Sequence, residues 1–395
     1  MQLLSVRFHV ILVFLFLLVI SQSARVFSAP DPALLLEDAH YLKPSYTYIS
    51  PNYHQLTSEE KQDIVTILVV DGGGVFGIMP AQILEKLEND TSKPSSSLFD
   101  IMAGTSTGSI VTTSLSVPNK MGTPAYSASD LVQLYINDSG SIFHASLAYN
   151  LYSLWGLIHP KFKNNNFLNY LDKRYGNLTL SQLMTTVIVP CGLMLKESPY
   201  WFNSLSAKRH PADDFFVKDV VAAATATPSL FKPYLIFNKN KTRFNYAIDG
   251  AMIANNPTLQ AYFYAKTNFP HKKYVIVSLG TGSYQESKDA SQPSIFENLG
   301  LINGLLPTFS LSFTLQAQQT DQQMRRAAVT QPEFIMAYYR FNIRLNPKDF
   351  NSSSFYDGSA SNIENIQNTG EKMLKTNKQS LKGLATILNE IKKNN

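Results

Sequence analysis

The chain has 395 residues, 44% of them hydrophobic and 16% charged, with a formal net charge of +5. That balance excludes a charge-rich disordered chain and a polytopic membrane protein, and it leaves room for one large α/β domain or two ordinary ones. The basic residues are spread out, with only short runs such as Lys208-Arg209 and Lys272-Lys273, so no nucleic-acid footprint is expected, although a mildly basic face suits an anionic lipid surface.

At the N-terminus, Arg7 and His9 precede an apolar run from Val10 to Ile20, and small residues follow at Ser21, Ser23, Ser28 and Ala29. This run is short for a bilayer span and reads as a secretory signal peptide over residues 1–28, cleaved after Ser23 or Ser28; an uncleaved anchor is the alternative. The expected destination is secreted or extracytoplasmic. Cys191 is the only cysteine, so no intramolecular disulfide forms and the core must supply the stability. Sequons at Asn89, Asn137, Asn177, Asn240 and Asn351 carry little weight in a chain so rich in asparagine. Residues 29–62 show scattered Pro and Tyr without a period and read as an irregular arm.

From residue 63 the pattern changes. Ile64 to Val70 is a continuous β-branched run, as expected of a parallel strand covered on both faces. A glycine loop, Asp71-Gly72-Gly73-Gly74-Val75-Phe76-Gly77, leads into a helix with Pro80 in its first turn. The plan repeats with a strand over Leu98–Ala103, the turn Gly104-Thr105-Ser106-Thr107-Gly108 and a second helix. Further strands are expected over Thr185–Val189, over Tyr274–Leu279 (closed by Gly280-Thr281-Gly282) and over Tyr338–Leu345. Helices are expected over 305–328 and 361–393. Strands alternating with helices predict an α/β fold, with a catalytic core over 63–300 and a mainly helical part of the same domain over 301–395.

The pentapeptide around Ser106 has the form of a nucleophile elbow, in which flanking glycines leave room for a serine on a sharp strand-to-helix turn. Alone it reads slightly better as a polar turn. Likewise the Gly72–Gly77 loop fits the dinucleotide pattern Gly-x-Gly-x-x-Gly, but the acidic residues about twenty positions on, Glu88 and Asp90, fall at a helix end and not at the end of a second strand. A Ser-His-Asp triad in the hydrolase order would need His271, in what reads as a surface turn. No histidine pair has metal-ligand spacing, so no metal and no cofactor are expected.

Taken together, the glycine loop, the Ser106 elbow and Asp249-Gly250-Ala251 running into Asn255-Asn256-Pro257 resemble the patatin-like phospholipases, lipid acyl hydrolases with a Ser-Asp dyad. Ala223–Pro228, Ser278–Gly282 and Tyr338–Arg340 look like family sequence too, and the likeness covers about residues 64–391. The resemblance implies a three-layer α/β/α fold with a mostly parallel central sheet. It further implies Ser106 as nucleophile, Asp249 as its base, the amides of Gly73, Gly74 and Thr107 as an oxyanion hole, and Gly72, Gly77, Gly104, Gly108 and Gly250 as the motif glycines. A phospholipase A-type or galactolipase activity on a membrane or micellar lipid follows from it; the alternative is a storage or interaction protein that keeps the fold while its chemistry is incidental. Family loops usually carry Arg or Lys where this chain has Phe76, which leaves the backbone donors as the implied anion binders and tilts the expected substrate toward neutral or galactolipid esters. Phe76, Ile78, Leu230, Phe231 and Met252 are candidates for an acyl-chain wall, or for plain core.

Overall fold

The structure, a computed structural model, describes residues 43–142, 161–162, 165–284, 301–351 and 353–393. The expected signal peptide lies outside the described residues. Val65–Val70 (β2) is buried along its whole length and sits inside a sheet of nine strands among the described residues. Its neighbours are Ile101–Gly104 (β3) and Tyr274–Leu279 (β8), both parallel to it. Thr186–Leu193 (β4) continues the parallel centre on one side and Ile335–Phe341 (β10) on the other. Antiparallel strands close both edges: Tyr46–Ile49 (β1) on β10, and Phe244–Asp249 (β7) on β4, followed by Tyr234–Phe237 (β6). Ser198–Asn203 (β5) pairs with β4 as well.

Alternation along β2 divides the core. Leu68 and Val70 enter one apolar cluster with Ile83, Leu84 and Leu87 of the helix Ile78–Thr91 and Leu384 of the helix Lys378–Ile391. Val65, Ile67 and Val69 enter another with Tyr262 and Ala265 of the helix Thr258–Asn268 and Met324 and Ala328 of the helix Leu301–Thr330. The result is a three-layer α/β/α fold, and each fully buried Val, Leu or Ile contributes about 1.5–3 kcal/mol. Burial on both faces is why the strand reads as an unbroken apolar run.

Register sets the level of the site. Val70 lies opposite both Gly104 and Leu279, so β2, β3 and β8 end together and their following loops emerge along one edge. Open parallel sheets bind ligands at that edge. Strand β7 reaches it from the far side: β4 runs on past its pairing with β3 at Ile188–Ala103, and the returning β7 places Asp249 opposite Cys191.

An ion pair ties this edge to the last long strand. Arg340 of β10 reaches across β8 to Asp71, just beyond β2, with Nη1 donating to Asp71 Oδ1 at 2.9 Å and to Ser278 Oγ at 2.8 Å, and Nη2 donating to Asp71 Oδ2. Both side chains are almost wholly buried.

Several elements differ from expectation. The arm expected to be irregular contains β1 and the short helix Ser58–Gln62, which is held by a capping box between Thr57 and Glu60. Four residues are too few to show a period. Leu98 ends a short helix, Ser95–Leu98, and does not begin a strand; Asp100, after it, accepts from the Thr66 amide at 2.8 Å and from Lys392 Nζ at 2.7 Å. The 301–395 part supplies β10 to the central sheet as well as its helices.

Removing one partner of a buried pair strands the other charge, which typically costs about 3–5 kcal/mol. Arg340→Leu is therefore expected to lower unfolding stability by that amount in urea titration, with Asp71→Asn in the same chain recovering part of the loss.

Candidate active site

Ser106 joins β3 to the helix Thr107–Leu115 with φ 51° and ψ −118°, a left-handed conformation that costs a non-glycine residue about 1–3 kcal/mol. The surroundings hold it there. The Ser106 carbonyl accepts from the Ser109 amide at 2.8 Å and from Ser109 Oγ at 2.6 Å, and the Gly108 amide donates to the Thr105 carbonyl at 2.7 Å. A Cβ at Gly108 would strike the Val70 carbonyl, and one at Gly104 would strike the Gly108 carbonyl, so both flanking glycines serve close packing.

The Ser106 hydroxyl donates to Asp249 Oδ2 at 2.9 Å. Thr227 Oγ1 donates to the same oxygen at 2.6 Å, and the Ala251 amide donates to Oδ1 at 2.8 Å. Asp249 is 1% exposed, and burial pushes its carboxyl up to about 6 while the three donors oppose the rise. Gly250 follows because a Cβ there would meet the Pro190 carbonyl. Cys191, opposite Asp249, is buried, and burial raises its thiol far above the ordinary range, as befits a small apolar filler.

Beside the serine runs the glycine loop. The Gly72 amide donates to the Asn255 carbonyl at 3.0 Å, the Gly72 carbonyl accepts from Thr281 Oγ1 at 2.5 Å, and the Phe76 amide donates to the Gly73 carbonyl at 3.1 Å. A Cβ at Gly72 would sit 3.4 Å from Ser106 Cβ, so the loop lies against the nucleophile position. Gly74 has φ 56°, and a Cβ there would collide with the Phe355 carbonyl. Among the described residues, none accepts a hydrogen bond from the Gly73, Gly74 or Thr107 amide, and the latter two begin helical turns, where free N–H groups favour an anion. Thr107 Oγ1 is hydrogen-bonded to Tyr135 OH, and Gly77 packs where a Cβ would run into that pair. Thr105 Oγ1 donates to the Ala254 carbonyl at 2.7 Å, stitching the elbow to the segment after Asp249.

The structure thus brings together Ser106, Asp249 and the glycines of all three motifs. It separates His271, which is exposed in the turn before β8, at the opposite end of that strand from the site; this corrects the triad alternative. Glu88 also has another task, accepting from the Ser95 and Ala128 amides. Phe76 is buried and meets Phe350 edge-on at 5.4 Å between ring centroids. With Ile78 it belongs to the main core, whereas Leu230 and Phe231 join Phe162 and Tyr356 in a separate aromatic cluster beside Phe355. Thr227, within the family-like segment Ala223–Pro228, carries no sequence signal of this role, since a lone threonine gives no sign of the carboxylate it will meet.

A family model described as patatin-like phospholipase matches residues 68–262. Patatin-like protein 4 of Arabidopsis thaliana is 32% identical over 342 residues, spanning 80% of this chain and 84% of that protein. The chain belongs to the patatin-like family. Patatin-like protein 1 of the same plant is 31% identical over 79% of this chain and 81% of its own length. Patatin-2-Kuras 3 of Solanum tuberosum is 26% identical over 84% of this chain and 91% of its own length. Membership in the patatin-like family supports lipid acyl hydrolysis as the general activity of the chain.

The raised Asp249 carboxyl has a stability consequence. A folded value of about 6, above the ordinary aspartate value of 3.8, makes the folded protein the better proton binder in between, so this contribution is complete below about pH 4 and lost as pH rises through 6. At pH 8 the ionised side chain costs roughly 3 kcal/mol. Asp249→Asn, with no charge to desolvate, is expected to melt a few degrees above the wild type at pH 8, with the gap closing near pH 4. Circular dichroism melts check this, and a lower melting point at pH 8 would count against it.

Proposed function

We propose that the protein hydrolyses fatty acyl esters of membrane or micellar lipids through a Ser106–Asp249 dyad and an acyl-serine intermediate. The observation that carries this reading is the 2.9 Å hydrogen bond from Ser106 Oγ to a desolvated carboxylate that pairs with no cation among the described residues. In the first step Ser106 Oγ attacks the ester carbonyl and its proton passes to Asp249. Negative charge building on the carbonyl oxygen is met by the amides of Gly73, Gly74 and Thr107, fixed in place before the reaction begins. Asp249 then returns the proton to the leaving alcohol. Water, deprotonated by the same carboxylate, attacks the acyl-serine, and Asp249 passes that proton to the departing Ser106 Oγ as the fatty acid is released.

Buried carboxylate chemistry replaces histidine here because desolvation makes Asp249 a stronger base than an exposed aspartate. With Phe76 packed on Phe350, this loop presents no cation to a phosphate at that position, which favours neutral or galactolipid esters over anionic ones in the acyl-transfer site itself. Export through the N-terminal signal remains part of this reading. The five sequon asparagines, Asn89, Asn137, Asn177, Asn240 and Asn351, are all exposed, as glycan attachment would require.

Hydrolysis of a p-nitrophenyl ester tests the dyad. Ser106→Ala and Asp249→Asn are each expected to lose about a thousandfold or more in kcat/KM, and His271→Ala to keep wild-type activity. A severe loss in His271→Ala would sink the reading. The kcat/KM profile should rise with pH through about 6, where Asp249 ionises. Thr227→Val, which removes a hydrogen bond that favours the carboxylate, should move that rising limb to higher pH.

A further inference from the structure

Strands β6 and β7 form a hairpin whose outward face is apolar. Leu235 pairs with Tyr246 and Phe237 with Phe244, and all four are exposed while Ile236, Asn245 and Ala247 between them are buried. The Phe237 and Phe244 rings lie 5.8 Å apart, and Phe244 is 59% exposed. The turn after β4 extends the patch: the Met194 amide donates to the Tyr246 carbonyl at 2.8 Å, and Met194 and Leu195 are also exposed. Single exposed apolar residues are ordinary, but a contiguous aromatic and aliphatic face marks an interaction surface.

The charges around the patch indicate what it meets. Lys196, Lys232, Lys239, Lys241 and Arg243 are exposed in the same turn and hairpin, where Glu197 is the one exposed acid and Asp249, at the end of β7, is buried. Asp213 and Asp214, from a neighbouring loop, pair with Arg243 and Lys239. Lys196, Lys232 and Lys241 form no ion pair among the described residues. Lysines can guard an edge strand against pairing with another chain. That role needs no aromatic face between them, whereas aromatic rings ringed by cations match a lipid–water boundary with an anionic surface.

Placement agrees. Because β7 runs antiparallel to β4 beyond the edge where β2, β3 and β8 end, the hairpin projects outward from the edge that carries Ser106. Its returning strand ends at Asp249. Phe244 stands five residues of extended chain before that carboxylate, about 17 Å away.

We propose that the outward face of the β6–β7 hairpin, with the Met194-Leu195-Lys196 turn, docks the protein on anionic lipid surfaces. This rests on the lipid-hydrolase reading only for its biological purpose, since docking itself requires no turnover. The aromatic side chains insert at the headgroup boundary while the lysines hold anionic headgroups, and the site is thereby kept near the surface from which it draws its ester.

The test is sedimentation of the full chain with vesicles of phosphatidylcholine, with and without phosphatidylglycerol. Ser106→Ala prevents turnover, and any N-glycan is first removed enzymatically because Asn240-Lys241-Thr242 lies in the hairpin turn. The parent is expected to bind anionic vesicles about tenfold more tightly than neutral ones, and less tightly at high salt. Phe237→Ser with Phe244→Ser should weaken binding about tenfold or more on both. Lys196→Glu with Lys241→Glu should abolish the anionic preference. If the double serine variant does not fold, Phe244→Ser alone carries the test. Sedimentation equal to the parent by the serine variant overturns the proposal. So does a loss of binding that accompanies conversion of a dimer to a monomer in light scattering, which would make the face a contact between copies. Vesicle binding by a protein whose Ser106 form hydrolyses no soluble ester leaves docking intact and removes the dyad reading instead.

Discussion

The buried pair between Asp71 and Arg340 is the interaction on which the architecture of the site depends. A run of three glycines has no conformation of its own, and it becomes a defined loop only when its ends are fixed. Asp71 fixes one end by engaging a guanidinium that crosses a whole strand to reach it and is itself held by Ser278. Asn255 and Thr281 then take the Gly72 amide and carbonyl. The acid that opens the glycine motif is therefore structural: it anchors the loop whose Gly73 and Gly74 amides have no acceptor among the described residues.

Two buried carboxylates lie along the same edge with opposite fates. Burial raises the proton affinity of Asp71, and a cation in bidentate contact opposes the rise and neutralises the carboxylate. Asp249 has two hydroxyls and one amide, which satisfy its oxygens without neutralising it. Burial acts on both carboxylates in the same direction, and the bound guanidinium alone separates an inert anchor from a proposed base.

How much of this was legible in the sequence follows from where the determining interactions lie. Val65–Val70 and Tyr274–Leu279 could be read because strands covered on both faces have no alternation to obscure. The elbow and Asp249 were legible because their glycines are demanded by local collisions. Tyr46–Ile49 was not, because its strand character comes from pairing with Ile335–Phe341 almost three hundred residues away. Thr227 was silent for a similar reason, since its partner lies on another element. The hairpin face was hidden by its own pattern: alternate exposure of Leu235, Phe237, Phe244 and Tyr246 resembles a half-buried strand whose apolar side faces the core, whereas here that side faces out.

The carbonyl of Phe355 occupies the space that a side chain at position 74 would need, and Arg340 supplies the counter-charge at position 71, yet both lie well past residue 262, where the matched family region ends. The chain cannot be divided into a catalytic piece and a dispensable tail. A product ending early, through a premature stop or a misplaced splice, would expose one face of the sheet and leave a bare carboxylate inside it, so it would be a substrate for cellular proteolysis and not a weaker enzyme. Selection for turnover therefore reaches residues of the tail that never approach an ester.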